Sequence, residues 1–514
     1  MRMQEDKLFR NTVVVGLGTL LSRVSGLFRE ILVSSLFGAT WVTDAFLLAY
    51  TIPNLLRRLF AEGALSTSVV PVFSEYFVSP SSRKDCPQSF ISAVFSGFTC
   101  IVCSVCLVGI VCTPWIVRLV AVGFRSDPTK LLFTARSTQI MFPFLLLISW
   151  SALLMGFLNT LNVFSWSAVA PFFFNLGTIV SLLFLRKLFG PYVLALGVIL
   201  GGLWQFLFQV PPLYRKGFTL RVSFRFWEDE GFRKVLRLML PVTFSLAVSQ
   251  LNTLVDRIVA SLCREGAVSA LYFSDRLMEF PLGIFGVALS IAVLPPLSRS
   301  VWVGNVEEWQ RTLWQGIRWV LFFMLPAVVL LMAFPLPLVT LVYRRGMFDA
   351  PAAAMTAIAL FYYAPGLVFF ALNHLMTRAF YSFHDTRTPV KVSLGAVLLN
   401  IGLDLWLVRI LDFGGVALAT SFAAAFQFVL LVYSLRKKIQ SFSLPPLGNW
   451  LLKGVVQIGI FTGCCVLLRS AMPNASPLAF VSILCLLGGL YLGLPFILRM
   501  DERKALLAIF ADFR

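Results

Sequence analysis

The sequence predicts an all-α polytopic membrane protein of about fourteen transmembrane helices, and three observations carry that prediction. Of 514 residues, 58% are hydrophobic and only 13% charged, with Phe alone accounting for 50; soluble domains do not have that balance. Apolar runs of about 20 residues, the length that crosses a hydrocarbon core of about 30 Å, follow one another almost without pause. The runs are long and continuously apolar, which excludes barrel strands, the only other structure that satisfies the backbone in lipid.

Apolar runs set against loop punctuation start helices near residues 10, 43, 89, 132, 166, 190, 232, 267, 308, 352, 388, 413, 449 and 475. Helix 1 follows "MRMQEDKLFR", which mixes acids with bases, and has no small-residue cleavage site, so it reads as an uncleaved span. Helix 2 holds "TIPNLLRRLFAEGALS", with Arg57, Arg58 and Glu62 within about two turns. Helix 3 carries Cys100, Cys103 and Cys106 of nine cysteines in all. The spacing superficially suggests iron–sulfur ligands, but an apolar span suits small packing residues better.

Helices 1–6 and 7–12 read as a duplication. "EGALSTSVVPVFS" aligns with "GVALSIAVLPPLS", setting Pro71 against Pro295, 224 residues on, and "NLG" aligns with "NIG", setting Asn175 against Asn400, 225 on. Six helices per repeat leave both halves in the same orientation, an arrangement that places transport substrates between two lobes. The expected lobes are residues 1–213 and 232–440, joined by a cytoplasmic linker at 214–231. Helices 13 and 14 cover 449–500, and a cytoplasmic tail 501–514. The link joins the halves, and its aromatic and basic residues also suit a membrane surface.

The formal net charge is +19. Lys and Arg concentrate in the two tails and in the loops after even-numbered helices, so the positive-inside rule puts both termini in the cytoplasm. Loop charge of this kind answers to orientation and anionic head groups, not to nucleic acid.

Charges inside the spans need a different account, since each costs about 2.5–3.5 kcal/mol on insertion scales. They are Arg23, Arg29 and Glu30 on helix 1, Asp44, Arg57, Arg58 and Glu62 on helix 2, Asp256 and Arg257 on helix 7, and Asp275, Arg276 and Glu279 on helix 8. Arg58 with Glu62 and Arg276 with Glu279 have the spacing of intrahelical pairs. Arg57 points about 100° from Arg58, and Arg23 and Arg29 have only Glu30 as a local acid. Arginines facing one cavity suit an anion with phosphate oxygens. Asn400 and Asp404, Asp256 and Thr420 are oxygen ligands that suit a hard cation, Na⁺ or H⁺, unless the acids pair with Arg257 or Arg409. No ATP-binding loop or H-E-x-x-H occurs, and His374 and His384 read as ordinary packing or interfacial residues.

Five stretches are distinctive together: "SRVSGLFRE" (22–30), "TDAF" (43–46), "PNLLRRLFAEGALS" (53–66), "SDRLMEFPLGIFGVAL" (274–289) and "TRTPVK" (386–391). With the fourteen-helix count, they resemble the MurJ (MviN) family of lipid II flippases, within the multidrug/oligosaccharidyl-lipid/polysaccharide exporter superfamily. The resemblance implies a transporter of the bacterial inner membrane, not an enzyme. It flips the undecaprenyl-diphosphate-linked peptidoglycan precursor by alternating access, with lipid II, membrane lipids and cell-wall synthesis or division proteins as partners.

On that resemblance the substrate-binding arginines are Arg23, Arg29, Arg57 and Arg276, with Asp44, Asn54, Arg58, Glu62, Ser269, Asp275 and Glu279 supporting the cavity. Glu30 stands where the family often has Asp. A sodium site found in some members maps onto Asp256, Asn400, Asp404, the Val416 carbonyl and Thr420, and helices 13 and 14 would line a groove for the lipid tail. The rivals are a drug exporter, whose cationic substrates a basic cavity would repel, and a membrane enzyme on polyprenyl diphosphates, which needs acids for Mg²⁺. A scaffold would not need buried arginines.

Overall fold

The computed structural model describes residues 2–59, 64–78, 87–439, 448–471 and 476–498, with Glu502 and Leu507. The remainder of the expected tail 501–514 lies outside the described residues. Two compact units divide the chain, Met1–Ser269 with Arg345–Phe348, and Ala270–Arg344 with Asp349–Arg514.

The first unit contains α1 (Arg2–Phe37), α2 (Trp41–Arg57), α3 (Ala64–Val78), α4 (Pro87–Val120), α5 (Pro128–Met141), α6 (Phe144–Thr160), α7 (Phe164–Phe184), the single turn α8 (Arg186–Phe189), α9 (Val193–Arg215) and α10 (Glu230–Ala260). Helix starts follow capping chemistry. Asp127 accepts from the Thr129 and Lys130 N–H groups ahead of Pro128, and Asp229 accepts from Phe232 N–H. Pro143, which lacks an N–H and clashes with the carbonyl four residues back, separates α5 from α6. Between α7 and α9 the backbones touch: a Cβ on Gly177 would come within 2.9 Å of Gly201 Cα.

Buried aromatics fill the middle of this unit, with Phe73 stacked on Phe90 at 5.5 Å and edge-on to Phe157 at 5.2 Å. α10 packs on α3 and α4, and the two units divide after it, at Ser269. Hydrogen bonds distinguish the two ends of the unit. At one end Trp41 N–H donates to Glu265 (3.3 Å), Lys130 pairs with Glu265 (2.8 Å), Gly123 N–H donates to Ser261 Oγ (3.2 Å) and Met347 N–H donates to the Ser35 carbonyl (2.8 Å). Gly38, with a φ of 65°, fits beside the Met347 carbonyl where a Cβ would come within 2.5 Å. At the other end Lys234 pairs with Glu75 (2.5 Å), and Gln88 exchanges two hydrogen bonds with the Thr219 backbone (2.6 and 2.9 Å).

The second unit takes in most of α11 (Ala267–Pro281), which continues through a π-helical stretch (Leu282–Val287) into α12 (Ala288–Val303). There follow α13 (Val306–Ala333), α14 (Pro335–Tyr343), α15 (Ala350–Tyr363), α16 (Gly366–Ser382), α17 (Arg387–Leu411), α18 (Phe413–Lys438), α19 (Gly448–Ala471) and α20 (Pro477–Ile497). Asn305, Asp349 and Ser476 cap α13, α15 and α20. α15 and α16 meet at Pro365 with a bend of 47°, 222 residues after Pro143, so the repeat extends to its breaks. In the α16–α17 turn Asp385 accepts from Thr388 N–H (3.0 Å) and Oγ1 (2.9 Å) and from Lys438 Nζ (2.7 Å). Burial would raise its carboxyl, but these bonds prevail and hold it down to about 2. α19 and α20 pack on α13 through Phe322, Phe461 and Tyr491, and the Tyr491 hydroxyl donates to the Phe322 carbonyl at 2.7 Å.

A helix begins close to each of the fourteen expected places, the first earlier than expected, at Arg2. α14 begins at none of the expected places. Among the described residues ten helical stretches are long and apolar enough to cross a membrane, or eleven if α15 and α16 form one bent span. α1, α2 and α10 fall short, and these are the helices that carry Arg23, Arg29, Glu30, Asp44, Arg57, Asp256 and Arg257. Of the α4 cysteines, Cys106 is buried and donates to the Phe142 carbonyl (3.2 Å), whereas Cys100 is exposed, so the run does not converge on one point.

Candidate functional site

Arg29 is held from two sides within the first unit. Its guanidinium pairs with Glu30, donates to Asn175 Oδ1 at 3.0 Å and lies over the Phe174 ring at 5.5 Å. Asn175 is nearly buried and donates to the Ser22 carbonyl (3.0 Å) and to Ser25 Oγ (2.9 Å). One α7 amide therefore fixes the α1 backbone and the arginine together, and Glu30 partly offsets the arginine's charge. Adjacent residues do not normally face each other on a helix; the length of the arginine side chain allows it to bend back onto its neighbour. Arg23, about one and two-thirds turns earlier, is exposed.

On α2, Arg57 Nε donates to Asn54 Oδ1 at 3.0 Å, and Arg58 donates to Gln250 Oε1 at 3.1 Å on α10. Glu62, the expected partner of Arg58, lies outside the described residues. Asp44 sits at the start of the same helix and is buried. Its carboxylate accepts from Gly266 N–H (2.6 Å), Ser269 N–H (2.7 Å) and Ser269 Oγ (2.5 Å). A side chain of one helix thus caps the N-terminus of another, α11, where free N–H groups and the helix dipole favour an anion.

In the second unit Arg276 pairs with Glu279 one turn along and lies 4.9 Å from the Tyr272 ring, while Asp275 is half-buried. α17 and α18 pack closely. Asn400 and Asp404 are fully buried and joined by an Asn400 Nδ2 to Asp404 Oδ2 bond of 3.0 Å, and Thr420 Oγ1 donates to the carbonyl of buried Val416 at 2.9 Å. Asp256 belongs to the first unit, where Asn252 Nδ2 donates to it at 3.3 Å. Charge alone did not point to Asn175 or Gln250. The repeat held the signal for Asn175, because it aligns with Asn400.

The family model described as "Lipid II flippase MurJ" matches residues 33–486. A probable lipid II flippase MurJ of Vibrio cholerae serotype O1 is 38% identical over 434 residues, covering 83% of this chain and 82% of the relative. The lipid II flippase MurJ of Burkholderia cenocepacia is 36% identical over 436 residues, 84% of each chain. Among solved structures, a lipid II flippase MurJ in an inward closed conformation matches with a TM-score of 0.80 and 26% identity, covering 94% of this chain and 98% of that one. An inward-facing multidrug transporter of the MATE family shares the fold, with a TM-score of 0.68 at 15% identity and coverage of 84% and 100%. By sequence and by fold, the chain belongs to the MurJ lipid II flippase family.

Proposed function

We propose that this chain carries lipid II from the cytoplasmic to the outer leaflet of the bacterial inner membrane by alternating access, as a fourteen-span transporter with both termini in the cytoplasm. The observation that carries the reading is the family match over residues 33–486, with relatives named for that activity at 36–38% identity. Arg23, Arg29, Arg57 and Arg276 bind the diphosphate, for which the guanidinium fork is suited. Arg29 is set in place beforehand by Asn175 and Glu30, so little side-chain entropy is lost when the anion arrives. The polyprenyl tail stays in lipid beside α19 and α20. The driving force is a gradient: each charge moved is worth about 2.3 kcal/mol per 100 mV.

Replacing Arg29 or Arg276 by Ala should lower outer-leaflet lipid II on the order of tenfold in cells that express the variants at parental level, given about 1.5–3 kcal/mol for a charge-assisted bond. Normal flipping in both would sink the arginine assignment.

Asn400, Asp404, the Val416 carbonyl and Thr420 of the second unit suit a sodium ion by donor chemistry, since all offer oxygens and the first three residues are fully buried; Asp256 joins them on the resemblance alone. When bound, the ion would link one conformation to the sodium gradient. In proteoliposomes, flipping by Asp404→Ala should lose the parent's response to sodium; a variant that keeps it removes the site.

A further inference from the structure

The segment between α9 and α10 contains no helix, yet it is fastened at two points on α4. Gln88 bonds both backbone groups of Thr219, and Ser223 N–H donates to Ser96 Oγ at 2.7 Å. Eight residues of helix rise about 12 Å, and four extended residues span about 13 Å, so the segment runs straight along the helix. Phe218, Leu220 and Phe226 turn inward onto the aromatic core. Val222 and Phe224 turn outward, Phe224 being 90% exposed, while Trp227 rests edge-on against buried Phe232 at 5.5 Å and leaves its other side exposed.

Depth follows from the length of α4. Its 34 residues extend about 51 Å against a hydrocarbon core of about 30 Å. Centred and upright, it projects about 10 Å beyond the core at each end, which brings Ser96, and with it Phe224, to the boundary between head groups and acyl chains. Arg215 at the end of α9 and Lys216, Arg221 and Arg225 on the segment are exposed and form no ion pair among the described residues. Of the nearby acids, Asp229 caps α10, Glu75 pairs with Lys234, and Glu228 and Glu230 follow Trp227. Apolar side chains at the boundary with cations toward the water are the arrangement that retains anionic lipid.

We propose that residues 214–229 form an interfacial strap that inserts Phe224 and Trp227 at the membrane boundary and binds anionic phospholipid head groups through Arg215, Lys216, Arg221 and Arg225. The strap holds lipid at the Thr219 end of the first unit, independently of the transported substrate.

The test uses the full chain purified from mixed phosphatidylglycerol and phosphatidylcholine micelles, with retained lipid counted by mass spectrometry. Arg221→Gln with Arg225→Gln should reduce the enrichment of phosphatidylglycerol about twenty-five-fold, each basic residue near a surface being worth roughly fivefold. Unchanged enrichment overturns the proposal. A bimane label on Phe224→Cys, in a background whose other cysteines are replaced and whose flipping matches the parent, reads depth in an otherwise intact strap. Quenching by lipids brominated on the acyl chain is the expected result. Quenching by aqueous iodide alone would mark a surface for a soluble partner and overturn the lipid assignment.

Discussion

Asp44 shows what a charge inside a span can be for. Its neighbours in sequence suggest an acid placed to balance arginines, but its oxygens face Gly266 and Ser269 at the start of α11. The partner is a helix end more than 200 residues away, which helical spacing within α2 cannot reveal. Asp44→Asn would turn an amide nitrogen toward N–H groups that need an acceptor, and should destabilise the folded protein by about 1.5–3 kcal/mol. Ser269→Ala removes only the hydroxyl bond and should cost less. Thermal unfolding in one detergent checks both: an Asp44→Asn variant that melts with the parent would show that the cap contributes nothing. Arg29 was legible as an unusual charge; its fixation by Asn175 was not, because an amide in an apolar helix carries no charge pattern.

Among elements, legibility followed hydropathy. The long apolar helices α4, α7, α13 and α18 begin within about two residues of their expected places, as lipid permits little besides a helix with every backbone bond made internally. Breaks were less visible. α5 with α6, and α15 with α16, read as single apolar runs, and only Pro143 and Pro365 mark where the backbone loses a donor. The π-helical stretch at Leu282–Val287 left no mark beyond its glycines, and α14 is too short at 9 residues to stand out from its loop. The linker was legible in composition and not in conformation: which of its apolar side chains turn inward, Phe218, Leu220 and Phe226, is decided by the aromatic core beneath it, not by the segment itself.

For the whole molecule, the duplication is the deepest statement the sequence makes, and its two halves use one position differently. Asn175 serves an arginine on α1, whereas its repeat partner Asn400 serves the carboxylate of Asp404. Orientation is a second property of the whole chain. Within the first unit, the loops after the first, third and seventh expected helices meet at one end through Trp41, Gly123, Lys130, Ser261 and Glu265, joined there by Met347. Glu75, Gln88, Thr219 and Lys234 meet at the other. Segments that alternate in this way fit the odd and even grouping of the charge bias. On that bias the Thr219 end is the one expected in the cytoplasm. Alkaline phosphatase fused after Ser126 or Arg264 should therefore be active, and fused after Gly217 or Asn305 inactive, with green fluorescent protein giving the reverse pattern. Active phosphatase at Gly217 with inactive enzyme at Arg264 would show the opposite orientation and overturn the proposed assignment of the two ends.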